Sequence, residues 1–325
     1  MCIRDRLETY RAGEQSLVFL NRRGFARFIQ CEQCGRVEEC PHCTVSLTLH
    51  RARSVAICHH CGYTRHPRPK CPDCDAALVG RSFGTEQVDS ALRTLLPAAR
   101  IARLDRDTGA SPDFVEQTLS AWRMGELDVL VGTQMIAKGH DAPGVTLIGV
   151  ILADASLHFP DFRAGERTFQ LLAQVAGRAG RGQKPGRVLI QTRQPEHPSL
   201  KAARAHDFRA FAEGELRLRQ ELGYPPFGRL ARILFEGEPA AVEAAATRSA
   251  ERLRGAAARL APTSAVEVLG PAPAPIERLR GRYRAHLLLK APDNRAMARV
   301  LDALAGQPAP REVRRVVDVD PLTMM

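Results

Sequence analysis

The chain has 325 residues, 44% apolar and 26% charged, a composition that excludes an intrinsically disordered protein and is long enough for two or three domains. Its 47 basic residues against 36 acidic ones leave a net charge of +11, which suits a polyanionic partner, most simply nucleic acid. No stretch approaches the roughly 18 uninterrupted apolar residues of a membrane span, and no apolar signal core opens the sequence, so no membrane is expected and the expected location is cytoplasmic.

In chain order, Met1 to Arg6 joins no pattern, and Ser16 to Leu20 is a short apolar run followed by the polar turn Asn21-Arg22-Arg23-Gly24. A buried parallel strand ending in a turn fits. Four C-x-x-C pairs then follow: Cys31/Cys34, Cys40/Cys43, Cys58/Cys61 and Cys71/Cys74, with Cys2 left solitary. Cys34-Gly35, Cys40-Pro41, Cys61-Gly62 and Cys71-Pro72 supply the turn chemistry that lets paired sulfurs converge on one cation. Eight thiolates fill two closed four-sulfur zinc sites, which are structural rather than catalytic. The fourteen residues between Cys43 and Cys58 approach the usual ribbon spacing, so Cys40, Cys43, Cys58 and Cys61 are expected to hold one zinc. Cys31 and Cys34 then join Cys71 and Cys74 around the other. Sequential pairing leaves only five residues between the first two pairs, a cramped arm. A disulfide framework is the rival, but it needs an oxidising compartment that nothing here signals. His42, His59, His60 and His66 lie nearby, and the thiolates suffice without them. With little apolar content, the segment would draw its folding energy from metal, on the order of 10 kcal/mol per site.

Helical spacing follows from Glu86 to Leu96, a strand over Ile101 to Leu104, a helix over Asp113 to Met124, a strand over Asp128 to Thr133 and another over Val145 to Leu152. Glu166 to Ala176 is helical and Arg187 to Gln191 is again a strand. Strands alternating with helices predict a doubly wound α/β domain whose ligands gather at the C-terminal strand ends. Two segments stand out: Gly132-Thr133-Gln134-Met135-Ile136-Ala137-Lys138-Gly139-His140-Asp141 and Gln174-Val175-Ala176-Gly177-Arg178-Ala179-Gly180-Arg181. On a helix the second would set Arg178 and Arg181 on nearly one face, where guanidinium groups match phosphate oxygens. Its glycines would let the backbone approach a ligand closely. A solvated basic face is the plainer alternative.

A long helix is predicted over Ser199 to Leu222, closing at Gly223-Tyr224-Pro225-Pro226. Beyond it the order is strand (Leu230 to Phe235), helix (Ala240 to Leu260), strands (Val266 to Leu269 and Tyr283 to Lys290), helix (Asn294 to Leu304) and strand (Val313 to Val319), a compact α+β sandwich. Pro271, Pro273 and Pro275 read as a stiff connector outside either element. Arg278, Arg280, Arg282 and Arg284 around Tyr283 suit a single-stranded or branched DNA backbone with base stacking, or equally a solvated hairpin rim.

The Gly-Thr-Gln loop and the Gln-x-x-Gly-Arg-x-Gly-Arg segment, in this order on a parallel sheet, resemble motifs V and VI of superfamily 2 helicases. The cysteine insertion after Phe19-Leu20-Asn21-Arg22-Arg23-Gly24-Phe25, together with Gly84-Thr85-Glu86-Gln87 and Asp318-Val319-Asp320-Pro321, makes the chain resemble the primosomal replication-restart helicase family from about residue 7 to 323. The resemblance implies an α/β, RecA-like second helicase lobe over 7–222, a two-zinc cysteine-rich module inserted at 29–80, and a small α+β C-terminal domain over 223–325 that contacts DNA and partners. It implies ATP with Mg²⁺, bound mainly through a first lobe, and Arg181 as an arginine finger assisted by Arg178. Gln174 would orient water or backbone, and Gly132, Thr133, Gly177 and Gly180 would lie about the nucleotide. Thr133 and Lys138, with Arg282, Tyr283 and Arg284, would contact nucleic acid.

The implied activity is ATP-dependent 3′→5′ unwinding of DNA at stalled or branched forks and primosome assembly for replication restart. Expected partners are forked or single-stranded DNA, single-strand-binding protein, primosome proteins and the loader of the replicative helicase, with a monomer as the expected state. A phosphate loop needs Gly-Lys-Ser/Thr, yet none of Lys70, Lys138, Lys184, Lys201 and Lys290 follows a glycine, and Asp154 is followed by Ala155 rather than Glu. The sequence is therefore expected to be the C-terminal part of such an enzyme and inactive alone. The alternative is a non-enzymatic zinc-ribbon module that binds nucleic acid or protein.

Overall fold

The computed structural model describes residues 3–324 except 21–27, 35, 37, 42, 51–54, 58–62, 82–84, 106–107, 110, 134–135, 137–142, 154–156, 158–160 and 193. The chain divides into two units, one of residues 1–27, 81–159 and 163–211, the other of 28–80, 160–162 and 212–325.

In the first unit, α1 (Ile3–Arg11) leads into β1 (Gln15–Leu20), every residue of which is buried. There follow α2 (Thr85–Leu95), β2 (Ile101–Leu104), α3 (Pro112–Arg123), β3 (Val129–Gly132), β4 (Val145–Ile151), α4 (Ala164–Ala176) and β5 (Arg187–Ile190). The strands form one parallel sheet in the order β5-β4-β1-β3-β2. Near-continuous apolar strands such as Val145 to Ile151 are what a sheet covered on both faces requires, and the core gathers around Phe19, Leu130, Ile148, Phe169 and Leu172. Local signals place the helices. Ser111 accepts a hydrogen bond from the Phe114 amide at the start of α3, with Pro112 in the first turn.

The long helix expected over Ser199 to Leu222 is instead two, α5 (Pro198–Ala205) and α6 (Phe208–Glu221). His206 closes α5 in the left-handed region (φ 53°), and Asp207 Oδ1 accepts from the Ala210 amide at 2.8 Å to start α6. A break chemistry sits at His206-Asp207, and apolar periodicity alone runs over it.

In the second unit, β6 (Arg229–Gly237), α7 (Pro239–Ala257), β7 (Glu267–Leu279), β8 (Arg282–Ala291), α8 (Asn294–Leu301) and β9 (Val313–Val319) build an antiparallel sheet in the order β7-β8-β6-β9. Ala231, Ile233, Phe235, Leu287 and Leu289 face α7 and α8 across one core with Val242, Leu253 and Val300. Pro271, Pro273 and Pro275 are not a connector: they lie inside β7. That strand is at the sheet edge and its register shifts on either side of Ala272-Pro273, the two settings in which a strand tolerates residues with no N–H.

The cysteine-rich segment of the same unit is built of short strands. Phe28–Cys31, Thr48–His50, Val55–Ile57, Thr64–Arg65 and Leu78–Arg81 form one small sheet, and Glu39–Cys40 pairs with Cys43–Ser46. Among the described residues its core gathers Ile29, Cys40, Leu47 and Ala56, with Leu279 of β7 packed against it. Among the described residues, no helix is long and apolar enough to cross a membrane.

Candidate functional site

Four thiols converge in the cysteine-rich segment. The Sγ atoms of Cys31, Cys34, Cys71 and Cys74 all lie within 4.8 Å of one another, with Cys31 to Cys74 at 3.4 Å and Cys34 to Cys71 at 3.6 Å. A disulfide would need about 2.05 Å. Tetrahedral zinc with Zn–S bonds of about 2.3 Å separates its sulfurs by roughly 3.8 Å, so the spacing fits metal. The two knuckles come from different ends of the segment. Cys31 closes its strand with its amide donating to Arg36 O at 2.8 Å, and Cys71 opens a turn in which its amide donates to Ala76 O and Asp75 (φ 58°) is left-handed.

Electrostatics inside the cluster is uneven. The Cys34 amide, at 3.5 Å from Cys31 Sγ, holds that thiol down at about 6. For Cys34 the Arg36 amide pulls down, but the neighbouring Cys31 sulfur and burial outweigh it and push the thiol up to about 12. Sulfurs this close oppose one another's ionisation, and a divalent cation is what lets all four ionise. Zinc held here would supply cross-linking rather than reaction chemistry. Of the other expected tetrad, Cys40 is buried and pairs with Cys43 across a hairpin. The side chain of Cys43, with Cys58, Cys61, His42, His59 and His60, lies outside the described residues, whereas His66 is exposed.

The arginine segment departs from its expected local structure. α4 ends at Ala176, and Gly177 to Gly180 form a turn, so Arg178 and Arg181 do not share a helix face. The turn is clamped: the Gly180 amide donates to Val145 O at 3.0 Å, Arg181 Nε donates to Gly177 O at 2.8 Å, and Lys184 Nζ reaches Glu14 Oε1 at 2.6 Å. Glu14 also accepts from Thr146 Oγ1, and the Lys184 contact above all holds its carboxyl below the usual range. The close approach permitted by Gly180 (φ 71°) is to Gly186: a Cβ at 180 would lie 2.5 Å from the Gly186 nitrogen. Gly177 is exposed and has room for a side chain, its nearest neighbour, Ala173 O, being 3.4 Å away.

Gln174 and Arg181 are exposed, whereas Arg178 is half-buried and lines a small cavity with Trp122, Ile136 and Val145. Because α4 returns antiparallel to the strands, this turn lies at the edge where β4 and β5 begin. Gly132 and Thr133 stand at the opposite, C-terminal edge, so the expectation that all ligand groups gather there does not hold for the arginines. Lys138 lies outside the described residues.

At that C-terminal edge the structure assembles a polar cluster to which sequence reasoning gave no role. Thr85 at the start of α2 donates to the buried carboxylate of Asp105, whose Oδ1 accepts from the Thr108 amide at 3.0 Å. Arg103 reaches Glu86 at 3.1 Å and Asp105 at 3.4 Å. The Thr133 amide donates to Leu104 O at 3.3 Å, which ties the Gly-Thr-Gln loop to the same turn. The signal was present as Gly84-Thr85-Glu86-Gln87 and as Asp105-Arg106-Asp107-Thr108, an acid at a strand end.

In the second unit β7 and β8 meet in a two-residue turn, Arg280 (φ 52°) and Gly281 (φ 80°), both left-handed as a type I′ hairpin demands. Arg278, Arg280 and Arg282 are exposed at this tip, and Arg278 Nη1 donates to Pro41 O of the second knuckle at 3.4 Å. Tyr283 is half-buried against the core, and burial raises its pKa. Arg284 is only 7% exposed, 3.9 Å from Glu236, so it faces inward rather than presenting a charge to a DNA backbone.

Residues 220–322 match the family described as the primosomal protein N C-terminal domain, and residues 40–66 match the PriA DNA helicase Cys-rich region domain. The chain is 40% identical over 325 residues to the replication restart protein PriA of Bacillus subtilis (strain 168), covering 98% of this chain and 40% of that protein. To those of Treponema pallidum (strain Nichols) and Haemophilus influenzae it is 41% and 39% identical, covering 98% and 95% of this chain and 48% and 42% of those proteins. It therefore spans less than half the length of these relatives. Two family matches at different places, joined by identity near 40% along 98% of the chain, agree: the chain belongs to the replication restart protein PriA family and aligns with a C-terminal part of it.

Proposed function

We propose that the chain is the C-terminal part of an ATP-dependent 3′→5′ DNA helicase that recognises stalled or branched forks and starts primosome assembly, its first unit being the second lobe of the motor. The observation that carries the reading is the clamped turn at Gly177 to Arg181, held on three sides and leaving Arg181 exposed. Charge builds on a phosphoryl group in its transition state, and a guanidinium fixed before the reaction stabilises it without reorganisation. Arg181 takes that part with Mg²⁺-bound ATP supplied mainly by the first lobe. Arg178, reaching toward Ile136 of the Gly-Thr-Gln loop, couples the nucleotide to the loop bearing Thr133 and Lys138, which meet the DNA backbone. Gln174, exposed in the last turn of α4, orients water or backbone at the phosphates.

The second unit supplies the fork-facing surface. Arg278, Arg280 and Arg282 at the hairpin tip, beside the Pro41 knuckle, form a basic edge for single-stranded or branched DNA, and two zinc ions hold the knuckles rigid. Single-strand-binding protein, primosome proteins and the replicative helicase loader are the partners of this reading. Its test is the ATPase. The isolated chain should hydrolyse no ATP with or without DNA, and the chain joined to a lobe bearing Gly-Lys-Ser/Thr should hydrolyse it with DNA stimulation. DNA-stimulated hydrolysis by the pure chain alone would overturn the assignment of this unit as a second lobe.

A further inference from the structure

The second unit contains a cavity of about 360 Å³ walled by α7 on one side and by residues 307–311 with β9 on the other. Four arginines line it. Arg248 and Arg252 stand one turn apart on α7, Arg311 comes from the loop and Arg315 from β9. No carboxylate is among the lining residues. Arg315 is held in place by its own Nη2, which donates to Leu304 O at 3.3 Å and Gln307 O at 2.7 Å. Arg248, Arg252 and Arg311 make no ion pair among the described residues. The floor is apolar: Phe235, Ala245 and Leu304 are at most 6% exposed.

Like charges at i and i+4 destabilise a helix, and guanidinium groups stay charged at any physiological pH. Four of them around one concavity whose lining holds no carboxylate concentrate positive charge there, which an entering anion neutralises. Guanidinium forks match phosphate oxygens two at a time, and an apolar floor suits a sugar or base. A cavity of this size lies at the small end of ligand pockets: it admits one nucleotide and not a running strand. We propose that this cavity binds the phosphate of a nucleotide, either free or at the phosphorylated end of a nucleic-acid strand. The inference goes beyond the helicase reading and does not rest on it, since the site uses neither Arg178 nor Arg181.

The test titrates the 325-residue chain with inorganic pyrophosphate, with a nucleoside 5′-diphosphate, and with two short single-stranded oligonucleotides that differ only in a 5′-phosphate or 5′-hydroxyl. Saturable one-to-one binding of the diphosphate or of the 5′-phosphorylated strand is expected. Losing one charge-assisted contact should weaken it roughly 10- to 100-fold in R252A and in R311A, with no loss of thermal stability, since both side chains are exposed and R252A removes a like-charge neighbour of Arg248. Binding of the diphosphate alone assigns the site to a free nucleotide, and binding of the phosphorylated strand alone assigns it to a strand end. Three results would each overturn the proposal: no saturation by any phosphate-bearing probe at millimolar concentration; wild-type affinity in both variants; or equal affinity for the two oligonucleotides without binding of the diphosphate.

Discussion

Replacing Gly180 by alanine tests whether the arginine turn is held by backbone packing. At φ 71° an L-residue costs about 1–2 kcal/mol. The added Cβ would lie 2.5 Å from the Gly186 nitrogen and 3.1 Å from its Cα, both backbone atoms that cannot rotate away. Relief means moving the loop and loosening the hydrogen bond from the Gly180 amide to Val145 O, another ~1 kcal/mol. The sum is about 2–4 kcal/mol, or roughly 5–15 °C in the unfolding of a unit this size. Gly177→Ala is the matched control: its φ is −65° and its Cβ would meet Ala173 O at 3.4 Å, so the change should be neutral or stabilising by up to ~1 kcal/mol. Calorimetric unfolding of both variants decides. Equal Tm values for G180A and wild type, or an equal loss in G177A, would refute the clamp.

Metal analysis should find two zincs per chain, and Cys71→Ser, at a position 3% exposed within the four-thiol cluster, should remove one; unchanged zinc would deny Cys71 a ligand role. Glu236→Ala leaves the buried guanidinium of Arg284 without its carboxylate and should cost about 1–3 kcal/mol in urea unfolding; an unmoved midpoint would show the pair to be idle. Burial, reinforced by Arg232 and Arg284, holds the His286 imidazole below its usual range. The unfolded chain then binds the extra proton first, so this contribution to the stability of the second unit is intact above about pH 7 and is lost as pH falls through the unfolded value near 6.5. His286→Asn should flatten that part of the pH profile, and an unaltered slope between pH 7 and 5 would exclude the histidine as its source.

Much of this architecture is legible in the sequence because it is written in short-range chemistry. The runs Ser16 to Leu20 and Val145 to Leu152 read as buried strands, and the helix expected over Asp113 to Met124 is found at Pro112–Arg123. The nesting of Cys31 and Cys34 with Cys71 and Cys74 is deducible from arm length, and the structure places those four sulfurs together. What is not legible depends on partners distant in the chain. The helix break at His206 needs a left-handed residue that no pattern demands. The prolines of β7 fit a strand only because that strand is at an edge, a fact of topology. Arg284 reads in the sequence as one more exposed member of an alternating basic run, and only the tertiary cover over its face of the sheet, where it pairs opposite Glu236, buries it. In the sequence Gly180 offers room for a ligand, whereas in the structure that room is taken by Gly186, six residues on.

The most direct test of the central claim is the kcat for DNA-stimulated ATP hydrolysis of the chain joined to a phosphate-loop lobe, measured with Arg181 and with Arg181→Ala at equal zinc content. An arginine that stabilises the transferring phosphoryl group predicts a fall of roughly 10³-fold or more. A kcat within a few-fold of the parent would place the transition-state charge elsewhere and contradict the account.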